Sequence, residues 1–403
     1  MVQRLPALVG AIVFLDTMFF AALTPLLPHY ADRFDLSKAG AGVLQAAYPA
    51  GVLVGSLPSG FATVRLGART TAVTGLVLMA ATTLTFGLAD NVYMLDGARF
   101  GQGLVSACAW TAGFSWLVSW APAGRRGKLI GAAMATAIVG ALFGPVAGGL
   151  ASVAGTAKIF GAIGAIALLL AMWAATTEEP ARTAAQPVGG FARAVGDGPL
   201  VAGIWFVTLP ALLFGTLSVL APLRLSERGL SAIAIGAVWL ISAAFEAIAN
   251  PIVGRISDRR GRRRPIVAGL AASAVIAALL PWPDERILLA LLVVVGSIAF
   301  SLFWVPAMSL ITDRSERLGL PYGFGFALVN LAWAPGQALG SSGGGAIAGA
   351  TSDAVPYLVL AGVCVLTLVA LSGSGDRSRT PAVAPTVRET LGEEERHGTQ
   401  VSR

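Results

Sequence analysis

Charge is what this chain has least of. Only 12% of its 403 residues are Asp, Glu, Lys or Arg, about half the roughly 25% of a soluble domain. With a mean hydropathy of +0.76, so few solvating groups exclude a water-soluble globular protein. Histidine is scarcer still. His29 and His397 are the only two, one between apolar runs and one in a polar tail, so no histidine-based metal cluster can assemble inside the apolar runs, and neither metal nor cofactor is expected. The two cysteines, Cys108 and Cys364, fall within apolar runs and imply lipid-phase packing, not a disulfide framework. No strand pattern precedes glycines such as Gly101 and Gly103, so a dinucleotide-binding fold is excluded and the chain does not read as an enzyme.

Long apolar runs are abundant. Segments of about 18–25 apolar residues can span a bilayer, and twelve occur, near 6–28, 39–62, 68–89, 92–119, 128–152, 157–176, 198–222, 231–254, 265–282, 286–311, 323–350 and 354–373. The first does not read as a secretion leader, because Asp16 interrupts it and no small-residue cleavage site follows. The expected architecture is an all-α membrane protein with twelve transmembrane helices in two six-helix halves, 1–176 and 198–373. A polar linker, 177–197, joins them, and a disordered cytoplasmic tail, 374–403, follows. With a cytoplasmic amino terminus, twenty-one of the 28 basic residues fall on the cytoplasmic side, as the positive-inside rule requires. The net charge of +7 therefore reports membrane topology and not a nucleic-acid partner. Both termini are expected in the cytoplasm of a multi-pass protein of the cell (plasma or inner) membrane.

The two halves repeat one pattern. Ser37, Gly42, Gly60, Arg65, Gly67 and Arg69 recur at identical offsets as Ser231, Gly236, Gly254, Arg259, Gly261 and Arg263. Gly140, Gly144, Gly148 and Gly149 recur as Gly336, Gly340, Gly344 and Gly345, with Ser341 where Pro145 stands. Glycines four apart line one helix face and admit a neighbouring backbone, and Pro145 is expected to kink its helix. Duplicated units suit a secondary transporter with a site between repeats; they also suit a channel or a scaffold.

A few polar residues interrupt the spans. Asp16 lies mid-span, where a charge costs roughly 2.5–3.5 kcal/mol and needs a water cavity or a partner. It reads either as a proton-for-cation exchange site or as half of an ion pair with Arg99. Arg99 sits at comparable depth, where it either tunes Asp16 or is satisfied by backbone carbonyls; Asp96 is a nearer rival partner. Glu246 is a second membrane-buried carboxylate, a site for a proton or a cationic substrate, or a polar contact between helices. Phe20, Phe303, Trp304 and Trp333, with Gln102 and Asn330, are candidates to line a substrate cavity, where aromatic faces hold a lipophilic cation.

Four stretches then resemble one family. Gly254–Arg263, GRISDRRGRR, is similar to the cytoplasmic signature loop of the major facilitator superfamily. Arg99-Phe-Gly-Gln102-Gly103 resembles its fourth-span RxxQG motif. Gly131, followed after eight residues by Gly140, Gly144, Pro145, Gly148 and Gly149, resembles the fifth-span antiporter motif, and Leu15–Pro28 resembles the first span of twelve-span drug:proton antiporters, vesicular amine transporters especially. The resemblance implies proton coupling through Asp16, Arg99 and Glu246. It also implies a conformational latch at Gly254, Asp258, Arg259, Gly261 and Arg262. Val64 stands where the family has aspartate in the first signature copy, and Ser218, Ser301 and Asn330 stand where amine transporters carry acids, so that coupling scheme does not carry over whole. The expected function is export of small lipophilic or cationic compounds in exchange for protons by a functional monomer in the lipid bilayer. A metabolite exporter or proton symporter of the same fold is the alternative, and a membrane sensor that moves nothing is a more distant one.

Overall fold

A computed structural model of the chain describes residues 4–120, 126–178, 196–318 and 322–374. The linker except its two ends, the tail beyond Ser374, and the basic residues Arg125, Arg182 and Arg193 lie outside the described residues. Every regular element among the described residues is helical: α1 (Arg4–Phe34), α2 (Lys38–Leu66), α3 (Ala68–Leu88), α4 (Val92–Trp120), α5 (Arg126–Ala154), α6 (Thr156–Ala175), α7 (Gly198–Glu227), α8 (Ala232–Arg260), α9 (Arg263–Leu279), α10 (Arg286–Ser301), α11 (Trp304–Arg317), α12 (Tyr322–Ala350) and α13 (Ala354–Ser374). Nine candidate spans among them, α10 with α11 counting as one, are long and apolar enough to cross a membrane.

Two boundaries differ from the expected ones for physical reasons. The tenth span, expected as one helix, breaks at Leu302–Phe303 into α10 and α11. Pro306 lacks the N–H that the Leu302 carbonyl would accept from. The signature stretch Gly254–Arg263, expected as a loop, is helical to Arg260, and the chain turns only at Gly261, whose φ is +83°. Its mate Gly67 turns at φ +93°. Only glycine adopts that conformation at little cost, which explains this pair of the repeat.

The glycine stripes are close backbone crossings. A Cβ on Gly140, Gly144 or Gly148 of α5 would lie 2.3, 2.7 and 2.1 Å from the carbonyl oxygens of Phe14, Met18 and Ala22 of α1. In the other half, a Cβ on Gly336 or Gly340 of α12 would lie 2.6 and 2.3 Å from the carbonyls of Thr208 and Leu212 of α7. Each facing pair of carbonyls is 194 positions apart. The α1–α5 and α7–α12 packings are therefore one motif built twice. Threonines add hydrogen bonds across the same seams: Thr136 donates to the Gly10 carbonyl (3.0 Å), and Thr216 to that of Gly340 (2.9 Å).

The halves touch through the complementary pairs, α5 on α8 and α2 on α12. A Cβ on Gly236 would meet the Pro145 carbonyl at 2.8 Å, and one on Gly42 the Ser341 carbonyl at 2.6 Å. These crossings involve the first turns of α2 and α8. An ion pair joins the halves at the same end, Lys38 Nζ to Asp353 Oδ1 at 2.7 Å, with Glu227 at 4.0 Å. Toward the other end, α2 leaves Leu57, Phe61, Val64 and Leu66 exposed, and α8 leaves Ile248, Ile252 and Ile256 exposed.

Candidate functional site

Asp16 is mid-way along α1 and 2% exposed. Three side chains donate to its carboxylate: Trp110 Nε1 (2.7 Å) and Ser106 Oγ (2.9 Å) from α4, and Tyr48 Oη (3.0 Å to each oxygen) from α2. Tyr48 Oη is also 2.8 Å from Ser106 Oγ. A buried carboxylate without partners costs several kcal/mol, and this pocket offsets the cost with neutral donors. Asp16 and Arg99 form no ion pair.

Arg99, wholly buried, instead turns toward α1. Its Nη2 donates to the Phe20 carbonyl at 2.7 Å, and its Nη1 to the Phe19 carbonyl and Gln102 Oε1, both at 3.4 Å. The guanidinium lies over the rings of Tyr48 (4.8 Å), Phe19 (5.4 Å) and Phe20 (5.8 Å). Arg99 thus makes backbone contacts, one of the two roles open to it on sequence grounds, though its Nε has no hydrogen-bond partner among the described residues, and Tyr48 touches both it and Asp16. Asp96 makes no ion pair with it among the described residues. Gly103 completes the arrangement: a Cβ there would fall 1.9 Å from the Tyr48 carbonyl oxygen. The RxxQG stretch thus fixes a cation with Arg99 and lets α2 press Tyr48 against α4 with Gly103.

Aromatic side chains carry the site across the interface between halves. Phe20 lies 5.0 Å from the Tyr48 ring and 5.6 Å, edge-on, from Trp333 of α12. The other candidates are dispersed. Gln102 is buried and donates to the Thr82 carbonyl at 3.2 Å. Phe303 is buried against Gly269, so neither presents surface to a cleft in this conformation. Trp304, Asn330 and Glu246 are half-buried. Ser218 and Ser301 donate to carbonyls of their own helices.

In the signature stretch, Arg262 pairs with Asp313 of α11 and donates to the Ser309 carbonyl at 3.1 Å, tying the turn into its own half. Asp258 and Arg259 are exposed, and Gly254 has ordinary room for a Cβ, 3.7 Å from Val305. Of the fifth-span glycines, Gly149 faces Ile233 of α8 at 3.5 Å, whereas Gly131 has open space. Sequence reasoning missed Tyr48, Ser106 and Trp110. The available signal was that Arg99, Ser106 and Trp110, spaced seven and four apart, share one face of α4.

Comparison with known proteins follows the same lines. Residues 9–334, and again residues 204–396, match the family described as Major Facilitator Superfamily. A relative from Yersinia pestis (strain Pestoides F), called an uncharacterized MFS-type transporter, is 25% identical over 390 residues, covering 94% of this chain and 97% of the relative. The MFS-type transporter ppzB of Metarhizium rileyi (strain RCEF 4871) is 29% identical over 163 residues, 39% of this chain and 34% of that relative, so the chain matches about a third of its length. Among solved structures, a bacterial homologue of the human lysosomal transporter Spinster, in an inward-facing and occupied conformation, superimposes with a TM-score of 0.73 at 17% identity, covering 91% of this chain and 94% of that one.

Proposed function

The chain belongs to the Major Facilitator Superfamily and is a membrane secondary transporter, not an enzyme, with no need of a cofactor; we propose that it exports small lipophilic or cationic compounds in exchange for protons. The observation that carries this reading is Asp16, a carboxylate buried mid-span, held by neutral donors, and in no ion pair among the described residues. A fixed ion pair would hold the group charged. Neutral donors and one indirect cation leave both charge states accessible, which exchange of a proton for a cation requires. Arg99 biases that exchange across the Tyr48 ring. Glu246 supplies a second carboxylate to the cargo, and Phe20, Trp304, Asn330 and Trp333 line its path, with Gln102 and Phe303 behind them.

In this reading the halves rock about the glycine crossings. Lys38 and Asp353 separate as one end opens, while Asp258, Arg259 and Arg262 re-form contacts at the other. The energetics suffice: in a one-for-one exchange of a proton for a monovalent cation no net charge crosses, and a tenfold proton gradient, worth about 1.4 kcal/mol, sustains about a tenfold gradient of cargo; for an uncharged compound, one charge crossing about 100 mV adds about 2.3 kcal/mol. The test is efflux of a panel of lipophilic cations from proteoliposomes under an imposed pH gradient. Wild-type protein is expected to accelerate efflux, and Asp16→Asn to insert normally while losing the gradient-driven part. Equal gradient-driven efflux in both would remove Asp16 from the mechanism, and uptake driven by the same gradient would favour symport.

A further inference from the structure

The two oxygens of Asp16 are not equivalent. Oδ2 receives Trp110 and Ser106 and also lies within reach of Tyr48, whereas among the described residues Oδ1 is bonded by Tyr48 alone. Tyr48 has two partners, Asp16 at 3.0 Å and Ser106 at 2.8 Å, but one hydroxyl proton, so it serves one at a time. While Asp16 is ionised, its carboxylate takes that proton's hydrogen bond. A proton added to Asp16 settles on Oδ1, the oxygen with fewer donors, and its new O–H needs an acceptor. The Trp110 indole cannot accept; Tyr48 Oη can. Tyr48 then turns its own O–H to Ser106, and Ser106 continues to donate to Oδ2. The ring of hydrogen bonds stays complete, with one proton added and none lost.

The Tyr48 ring is poised to pass this change on. Its backbone is pinned at Gly103, one neighbour is the Arg99 guanidinium at 4.8 Å and another is Phe20 at 5.0 Å. Phe20 in turn meets Trp333 of the opposite half at 5.6 Å. Beyond Tyr48, Arg99 is the one charged group acting on Asp16 among the described residues, and Tyr30 of α1 acts on Arg99.

We propose that Tyr48 is a positioning residue that relays the charge state of Asp16 to the carboxy half: its hydroxyl turns from the carboxylate to Ser106 on proton uptake, and its ring carries the change through Phe20 to Trp333. The proposal rests on the reading of Asp16 as the proton-exchanging group. Its test uses full-length protein in lipid nanodiscs, with Cys108 and Cys364 replaced by serine and alanine. Spin labels at Thr70→Cys and Arg264→Cys, both exposed at the same end of opposite halves, report the opening between them. In the otherwise wild-type protein, the distance distribution shifts between mildly acidic and mildly alkaline buffer. Tyr48→Phe keeps the ring and loses the hydroxyl, and is expected to lose most of that shift, as Asp16→Asn does. A wild-type shift in Tyr48→Phe beside an unresponsive Asp16→Asn overturns the relay alone. A wild-type shift in Asp16→Asn overturns both the relay and the exchange reading. Should Tyr48→Phe not fold, Ser106→Ala removes the hydroxyl's second partner; loss of the shift supports the relay, and a retained shift contradicts it.

Discussion

The amino and carboxy halves share a scaffold and differ in chemistry. The facing carbonyls Phe14 and Thr208, and Met18 and Leu212, sit 194 residues apart under equivalent glycines. By that register Asp16 corresponds to Pro210, Tyr48 to Ser242 and Phe20 to Phe214. Across the tenth span, where the amino half carries Arg99, the carboxy half has the run Val293 to Val295. Duplication preserved the contacts that let helices approach, and it placed Asp16, Arg99 and Tyr48 in the amino half, with Pro210, Val293 and Ser242 at the equivalent positions of the carboxy half. Under the proposed exchange, two matched walls serve the rocking and a single group, Asp16, carries the proton.

The largest effect is expected from substitution at equivalent glycines of the two halves. Gly148→Ala drives a methyl to within 2.1 Å of the Ala22 carbonyl, whereas Gly344→Ala meets the Thr216 side chain at 2.8 Å. Overpacking against backbone costs about 1–3 kcal/mol; the nearest atoms at Gly344, 2.8 and 2.9 Å away, belong to a side chain and not to backbone. Thermal unfolding in detergent is expected to show a clearly lower midpoint for Gly148→Ala and a smaller drop for Gly344→Ala. Equal losses would mean that the two seams are energetically the same.

An intermediate effect is expected where the halves meet. Lys38 and Asp353 are 30% and 16% exposed, and a partly exposed pair contributes about 1 kcal/mol or less, up to about a fivefold change in population. Asp353→Asn should raise labelling of a cysteine introduced near Lys38 by that order, and added salt should produce a similar rise in the wild type. No change in either case would leave closure at this end to the glycine crossings alone.

The smallest effect tests a contact confined to the carboxy half. Asp197 caps α7 through the Leu200 N–H (3.0 Å) and grips Arg314 of α11, whose guanidinium holds its carboxyl below the ordinary aspartate range. A lowered value stabilises the folded state above the ordinary aspartate pKa, and the gain is lost as pH falls through the lowered one. Asp197→Asn keeps a capping oxygen and removes the charge. Its unfolding midpoint should match the wild type in acid and fall slightly below it at neutral pH. A constant difference across pH would assign the contact to geometry.

The spans and the duplication were legible because apolar length and glycine offsets are local signals. Asp16 was legible because a carboxylate in an apolar run is costly and therefore conspicuous. Tyr48, Ser106 and Trp110 were not, since single hydroxyls and aromatics are ordinary in membrane helices and gain meaning only from what they face. The same limit applied to the fifth-span glycines. Their spacing announced a close crossing, but only tertiary structure shows Gly140, Gly144 and Gly148 against α1 and Gly149 against α8. The break at Phe303 was signalled by Pro306, whose effect falls four residues upstream and is hidden inside an apolar run.

The asymmetry between halves is tested most directly by proton release on binding. Purified protein in weakly buffered detergent receives a lipophilic cation beside a pH-indicating dye, and Asp16→Asn and Glu246→Gln are run in parallel. Release is expected from the wild type, retained release with weaker binding from Glu246→Gln, and none from Asp16→Asn. Release from Asp16→Asn equal to the wild type, or its loss in Glu246→Gln alone, would mean that Asp16 is not the proton-exchanging group.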